Sequence, residues 1–465
     1  MENTFNTLDE KGIETLVSLL GKDHVLTSLE DRIVYGYDAS APARDGMPAA
    51  IVFPENTEQV SAIMQMANEK RIPVVPRGSG TGLSGATVPH PGSIVMLFTR
   101  MNQILEIDDQ NLTATVQPGL LTLDLVNAVE AEGLFYAPDP SSMKVSTMGG
   151  NVALNAGGLR GLKYGVTRDF VMGLEVVLAN GEILSTGNKC KKDVAGLNLT
   201  SLFVGSEGIL GIITEVLVRL IPLPEDKRTA VAFFDEIETA ATVVSQIIAA
   251  RIVPVTLEIL DQLSIQCVEE FASIGLPTEA GAMLLIETDG PTALVEEEIQ
   301  KIREICIKNK AISVEVATDT EHVEKLKSAR RSTLAALARR RPTTILEDVT
   351  VPRSQIPEMV RRIRKIAEKQ NVEIAIFGHA GDGNLHPTGM TDARDSEELH
   401  RVEAAFEEIF EAALDLGGTI TGEHGVGTKK RHVLPVQIGA VGFKTMQSIK
   451  AVFDPQGILN PGKVL

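Results

Sequence analysis

Apolar positions along this chain follow two rhythms. Up to about residue 221 they form short runs interrupted by glycine. Runs at 72–76, 93–98, 171–178 and 209–220 read as strands. Amphipathic spacing over 57–70 and 121–132 reads as helix, the second stopped by Gly133. Thr7 and Glu10 form a capping-box pattern before a first helix. Residues 137–165 show almost no periodicity, and a structureless loop of that length is usually functional. After Pro222 and Pro224 the rhythm changes. Strands near 229–234, 254–260, 281–288, 311–317, 343–351 and 372–377 alternate with helices near 236–250, 261–272, 291–309, 320–340 and 354–370. That pattern describes an α+β or α/β domain of about 200 residues. Helical stretches at 396–415 and 429–453 follow.

Charge narrows the function classes. The 465 residues carry a net charge of −18, the reverse of the basic stripe that nucleic acid requires. An anionic membrane surface is disfavoured on the same ground. The N-terminal stretch has no basic segment ahead of its apolar residues and reads as a mature first helix. No apolar run reaches the ~18 residues of a transmembrane helix. Cys190, Cys267 and Cys306 are scattered and odd in number, as expected of reduced thiols in a cytoplasmic protein. There is no CxxC, so the usual cysteine frameworks for iron–sulfur clusters are missing from the chain.

Candidate chemistry begins at Gly80-x-Gly82-x-x-Gly85. A dinucleotide fingerprint needs strand, glycine turn and helix. Here Pro89, Pro91 and Gly92 lead into another strand, so the loop joins strand to strand. Glycines still let backbone N–H groups close on an anion, with Ser79, Thr81, Ser84 and Arg77 as further donors. The 137–165 loop repeats that composition. Pro138, Pro140, Gly149, Gly150, Gly157 and Gly158 impose turns, while Ser141, Ser142, Thr147 and Asn151 offer neutral donors. Two such elements suit a large polar cofactor with a pyrophosphate.

Three of the eight histidines fall in GHAGDGNLH (378–386) and GEHG (422–425). His379 and His386 lie in a loop after a strand, with glycine allowing the loop to fold back. With Glu423 they make a common three-ligand set for Zn²⁺, Fe²⁺ or Mn²⁺. Adjacent residues do not easily ligate one ion together, so His424 is left for proton transfer. Asp382 is either a turn-former or a partner behind the ligands.

PRGSGTGLSGATVP, the loop from PDP to NAGG, GSEGILGIITE, GHAGDGNLHP, GEHGVG and DPQGILNPGK occur in this order. Together they resemble the FAD-linked 2-hydroxyacid dehydrogenases of the vanillyl-alcohol oxidase superfamily, near the flavin-binding glycolate oxidase subunits and D-lactate dehydrogenases. The resemblance implies an α+β fold: a two-part FAD-binding domain of the vanillyl-alcohol oxidase (PCMH) type over 1–221, an α/β substrate-binding cap over 222–420, and a C-terminal helical segment, 421–465, returning to the FAD site. It assigns Pro76, Arg77, Gly78, Ser79, Gly80, Thr81, Gly82, Ser84 and Gly85 to the pyrophosphate. Pro138, Asp139, Ser141, Ser142, Gly149, Gly150, Asn151 and Gly157 follow the rest of the cofactor. Glu207, Gly208, Ile212 and Asn460 match positions beside the adenosine or ring portions. His379, His386 and Glu423 match the metal ligands, and His424 the base. Arg330, or Arg331 if the match shifts by one, matches the carboxylate clamp. ILED (345–348) lacks the lysine found there in relatives with larger diacid substrates, which counts against a diacid.

The expected activity is therefore hydride transfer from a small (R)-2-hydroxy acid to non-covalent FAD, with D-lactate first and glycolate as the alternative. One divalent ion and His424 would assist. A separate acceptor, an electron-transferring flavoprotein or an iron–sulfur subunit, would take the electrons. Two other readings explain less. A metal-dependent hydrolase leaves the glycine loop idle, and a non-catalytic flavin-carrying subunit leaves both histidine motifs idle.

Overall fold

The computed structural model describes residues 5–41, 46–317 and 320–465. Its contacts divide the chain into two units. One holds Met1–Gly157, Val166–Leu223 and Glu423–Leu465; the other holds Gly158–Gly165 and Pro224–Gly422. Sequence alone does not separate 158–165, a glycine-bounded GLRGLKYG that contributes its side chains to the second unit.

In the first unit, strands Ala50–Val52, Ile94–Leu97 and Val74–Arg77 pair in parallel. Val25–Leu26 is added antiparallel at one edge. Their near-continuous apolar character follows from burial on both faces. Helix Thr57–Lys70 covers one face through Val60, Ile63, Met64 and Ala67, which recur at three- and four-residue spacing. Asn56 caps it by accepting the Gln59 amide at 2.9 Å. The chain's far end closes the other edge. Val74 donates its amide to Ile458, and Asn460 donates to Val74, at 2.9 and 2.8 Å. A second sheet runs antiparallel in the order Ile104–Asp108, Thr113–Val116, Ile212–Arg219, Val171–Val177, Ile183–Gly187.

The second unit is built on one large sheet in the order Ser313–Val316, Asp226–Phe234, Ala282–Gly290, Thr256–Asp261, Glu373–His379, Asn384–Thr391, Thr343–Leu346, with Val349–Thr350 also on Asn384–Thr391. Strands and helices alternate along the sequence as expected. Every pairing is nevertheless antiparallel, so between the α+β and α/β readings of this region the arrangement is α+β. Helix Ile356–Gln370 shows why the helices form here: Ile356, Met359, Val360, Ile363 and Ile366 make one buried stripe.

Four local expectations change. Asp9, not Thr7, caps helix Glu10–Leu20, accepting the Gly12 amide at 2.7 Å. The 137–165 stretch contains helix Met148–Leu154, hidden by its glycine pair and capped by Thr147. The helical pattern over 320–340 breaks at Ser332 into Thr320–Arg331 and Thr333–Leu337. His379 and His386 are not in a loop. They sit on paired strands of a hairpin, whose second strand, NLHPTGMT, carries too much polarity and a proline to read as β.

Candidate functional site

In the first unit the two glycine-rich elements meet. The Ser79 hydroxyl donates to the Val145 carbonyl. A Cβ on Gly78 would lie 2.3 Å from the Thr147 hydroxyl. Thr147 in turn accepts the Gly150 amide at 3.3 Å, starting helix Met148–Leu154. Gly80 has φ +73 and backs onto the Arg77 guanidinium at 2.0 Å from an ideal Cβ. Only glycine fits both constraints. Arg77 itself is buried and donates to the Tyr37 carbonyl at 2.7 Å, so its side chain supports the loop from behind. Pro76 packs 2.6 Å from where a Gly208 Cβ would stand, and Thr81 and Gly82 are half-buried beside them.

The 138–157 residues divide by role. Pro138 and Asp139 are buried, whereas Ser141 is exposed and Ser142 is half-buried with its carbonyl closing a turn onto Val145 and Ser146. Asn151 donates to the buried Thr122 hydroxyl at 2.6 Å. Gly149 leaves room for Pro118, and Gly157 for the Glu423 carboxylate, each 2.6 Å from an ideal Cβ.

Glu207 organises the return segment. It is buried at φ +51 and accepts the Val426 and Gly427 amides at 2.7 and 2.8 Å. Burial pushes its carboxyl up to about 7, against those two bonds and the Lys430 and Lys463 charges. Burial pulls Lys463 down to about 8, with Asp38 opposing. Asn460 donates to the Ala86 and Glu207 carbonyls at 2.9 and 2.7 Å. Ile212, fully buried, starts the next strand. The Ser84 hydroxyl and the Asn460 side-chain oxygen are buried without a hydrogen-bond partner among the described residues. Around them, Gly85 and Gly427 leave no room for a Cβ. Such orphaned polar atoms in a glycine-lined cradle fit a polar cofactor. Sequence reasoning missed the buried Asp38, Lys430 and Lys463. A lysine in NPGK or TKKR reads as surface charge until the fold encloses it.

The second unit holds a different kind of site. Strand Thr256–Asp261 places Glu258 inside the sheet, fully buried. His379 Nδ1 lies 2.7 Å from one of its oxygens and Arg330 Nη2 lies 2.5 Å from the other. Burial alone would raise the Glu258 carboxyl, but Arg330 and His379 outweigh it and hold it below the usual range. The His379 and His386 rings stand 5.1 Å apart at 89°. The Arg330 guanidinium lies over Phe377, which also packs against His386. A carboxylate behind an imidazole is the arrangement that orients a metal-ligating histidine. The two rings therefore fit part of a metal ligand set. Arg330 Nε is buried and makes no hydrogen bond among the described residues. Arg331 is only half-buried. Asp382 donates its amide to the His379 carbonyl at 3.2 Å, closing the hairpin turn.

Glu258 was not legible as functional: TLEILD reads as an ordinary buried strand with one polar residue. A second buried group was also missed. Lys163 and Tyr164 both reach Asp289, the tyrosine at 2.8 Å, and Lys327 pairs with Glu287, which accepts from Thr229 at 2.7 Å.

The chain leaves the second unit at the Gly422–Glu423 bond. Gly422 donates its amide to the buried Asp348 carboxylate at 2.5 Å. ILED therefore supplies an anchor for the GEHG motif. Beyond it, Glu423 Oε1 lies 3.6 Å from His424 Nε2, both largely buried.

Comparison with known proteins agrees along the chain. Residues 48–187 match the family described as "FAD binding domain", and residues 223–464 match "FAD linked oxidases, C-terminal domain". The chain is 57% identical to the glycolate oxidase subunit GlcD of Bacillus subtilis (strain 168) over 451 residues, 97% of this chain and 96% of that one. It is 39% identical to GlcD of Escherichia coli (strain K12), covering 94% and 88%. It is 36% identical to a D-lactate dehydrogenase of Anaerostipes hadrus, covering 100% and 99%. The crystal structure of p-cresol methylhydroxylase shares the fold, with a TM-score of 0.82 at 18% identity, over 98% of this chain and 96% of that one.

Proposed function

The chain belongs to the FAD-linked oxidase family and is an oxidoreductase acting on CH–OH donors; from that premise we propose that it oxidises a small 2-hydroxy acid to the 2-oxo acid and delivers the electrons to a separate protein. The observation that carries this reading is Arg330. Its guanidinium is buried, held on one side by Glu258, with Nε making no hydrogen bond among the described residues. A substrate carboxylate is the anion that completes such a group, through a charge-assisted pair.

FAD, bound non-covalently because the glycine loop offers no histidine or cysteine for attachment, supplies the hydride acceptor. The residues that would hold it are 76–85 (Leu83 apart), the 138–157 donors, Glu207, Gly208, Ile212 and Asn460. A divalent ion held by His379, His386 and Glu423 would supply Lewis acidity at the substrate hydroxyl. The chain's own residues do the remaining work. Glu258 fixes the His379 ring and the Arg330 guanidinium with one carboxylate, so ligand and clamp share an orientation. Arg330 orients the substrate by its carboxylate. His424 takes the hydroxyl proton onto its imidazole as hydride leaves C2. Asp348 holds Gly422, the last residue of the second unit, and Glu423 and His424 follow it in the chain.

Glycolate and D-lactate are the substrates to separate. They differ by a methyl group, worth only ~1–3 kcal/mol in a pocket. The 57% identity to a glycolate oxidase subunit favours glycolate, and the match to D-lactate dehydrogenases favours lactate. The sequence has no cysteine framework for a cluster, which supports a separate electron-accepting protein, either an electron-transferring flavoprotein or an iron–sulfur subunit. Among the described residues no helix is long and apolar enough to cross a membrane, and we place the reaction in the cytoplasm. The test is an anaerobic visible spectrum of the purified protein before and after adding glycolate, D-lactate or L-lactate. Bleaching of an oxidised flavin band by one of them is expected and names the substrate. A flavin band that none of them bleaches would overturn the hydroxy-acid reading, and no flavin after FAD addition would overturn the whole.

A further inference from the structure

Helix Leu434–Phe453 is hard to explain as part of an isolated chain. A kink at Gly439, φ +71, divides it, and the stretch beyond that glycine, 440–453, runs for about 21 Å. Most of the helix's 20 residues are apolar, yet Leu434 alone is buried. Val436, Val441 and Val452 are 70%, 82% and 76% exposed. Helices in water draw most of their stability from burying an apolar face, and this one buries Leu434, with Ile438, Phe443, Ile449 and Phe453 covered only in part. Val441 and Val452 stand eleven residues apart, about three turns, and so share a face. The charge is local too. From His424 to Phe453 there is no Asp or Glu in a chain of net charge −18; of the cations there, Arg431 and Lys444 are exposed and Lys429 is half-buried, whereas Lys430 is buried and Lys450 is paired with Asp454.

Both ends of the helix are tied to the proposed cofactor cradle. Ahead of it, Val426 and Gly427 donate to Glu207. At its far end Lys450 donates to the Ile209 and Leu459 carbonyls at 2.7 and 2.9 Å, one residue short of Asn460. A protein seated on this helix is therefore seated beside the cradle.

We infer that Leu434–Phe453 is the docking surface for the electron-accepting protein, and that the partner presents an apolar centre rimmed by acidic residues. This rests on the proposed function for the identity of the partner. The two electrons taken from the substrate reduce the partner's redox centre as the flavin is reoxidised. A second copy of this chain fits less well, because two basic stretches would face each other. A lipid surface also fits less well. Interfacial helices carry a strongly charged polar face, whereas the exposed polar positions here include Thr445, Gln447 and Ser448.

The test uses FAD-loaded holoenzyme and the double variants V441E/V452E and V441K/V452K. Each is photoreduced anaerobically, which needs no substrate. It is then mixed with membrane-free extract of the host strain lacking this chain, and flavin reoxidation is followed. A small dye, dichlorophenolindophenol, serves as an acceptor that needs no docking surface. We expect all three proteins to reduce the dye alike. Reoxidation by extract should slow at least about tenfold in the glutamate pair, with a smaller loss in the lysine pair. No reoxidation of the wild type by extract, or an unchanged rate in the glutamate pair, overturns the proposal. Lysine variants as slow as glutamate variants overturn the acidic rim. A wild-type dimer, seen by light scattering, that the glutamate pair splits would assign the helix to a second copy. Wild-type binding to phosphatidylserine vesicles, lost in the glutamate pair, would assign it to lipid. Bleaching by glycolate or lactate is measured in parallel. Its absence counts against the substrate reading and leaves the docking result standing.

Discussion

The two units organise polar groups in opposite ways. In the first, hydrogen bonds at the candidate cofactor cradle come mainly from backbone, hydroxyls and two side-chain amides: Gly150 to Thr147, Asn151 to Thr122, Asn460 to two carbonyls. In the second, side-chain charges are sunk into a β-sheet: Glu258 with Arg330 and His379, Glu287 with Lys327, Asp289 with Lys163. The difference matches the tasks proposed for them. A large cofactor can be held by many neutral donors without a charge having to move. A small anion giving up a proton and a hydride needs full charges held rigidly, because buried charge is where electrostatics acts most strongly.

His424 gives the largest effect that would break this division. It stands in the first unit, on the returning segment, yet is assigned chemistry. In H424A, FAD content should be unchanged while the rate of flavin bleaching by substrate falls ~10²–10⁴-fold, the usual contribution of a general base. Stopped-flow absorbance measures it, and an unchanged rate would remove His424 from the reaction. Next comes Glu258. E258A leaves Arg330 and His379 buried without their shared carboxylate, a change that typically costs about 3–5 kcal/mol. Denaturant unfolding of the holoenzyme should show that loss, with E258Q losing less. An E258A protein of wild-type stability would mean the network is not held together by charge. The cradle is expected to respond more mildly. Gly80→Ala forces a side chain into φ +73 and against Arg77, and left-handed backbone costs roughly 1–2 kcal/mol. Equilibrium titration should show FAD binding weakened about tenfold at 1.4 kcal/mol. The FAD that does bind should be bleached at the wild-type rate.

How far the sequence alone carries the argument differs between the same two regions. Helix Thr57–Lys70 and helix Ser396–Asp415 match their expected spans residue for residue, because a 3.6-residue apolar stripe is a local signal. The glycine loop was legible as a strand-to-strand connection for a similar reason: Pro89, Pro91 and Gly92 exclude a helix. The hairpin carrying His379 and His386 was not legible. Strand Asn384–Thr391 is buried along its whole length, yet its polarity hides the period of two. Glu258, Lys430 and Lys463 were invisible because their meaning depends on partners far off in sequence. Glu258 meets His379 across 121 residues. Nothing within a local window distinguishes such a residue from a solvated one.

At neutral pH the smallest effect belongs to Glu207, which tests whether the first unit's few buried charges act as structural hooks. Its carboxyl stands at about 7, against 4.5 for an ordinary glutamate. Between those values the folded chain binds a proton that the unfolded chain has released. Stability therefore falls as pH rises from about 4.5 to about 7, and is flat in this group above that. For one proton the slope cannot exceed about 1.4 kcal/mol per pH unit. Lys463 works in a separate window. Its amine is lowered from 10.5 to about 8, so the unfolded chain holds the extra proton there and stability rises with pH between those values. Denaturant midpoints of FAD-loaded protein from pH 4.5 to 8 should fall less steeply in E207Q than in the wild type, because the amide cannot titrate. At pH 7 the variant should differ by only about 1 kcal/mol, the net worth of one of the two backbone bonds. A wild-type profile parallel to that of E207Q would mean that Glu207 stays ionised throughout. The Val426 and Gly427 amides would then be holding a charge as firm as those in the second unit, and the contrast between the two units would narrow to the choice of partner: backbone N–H in one, arginine, lysine and histidine in the other.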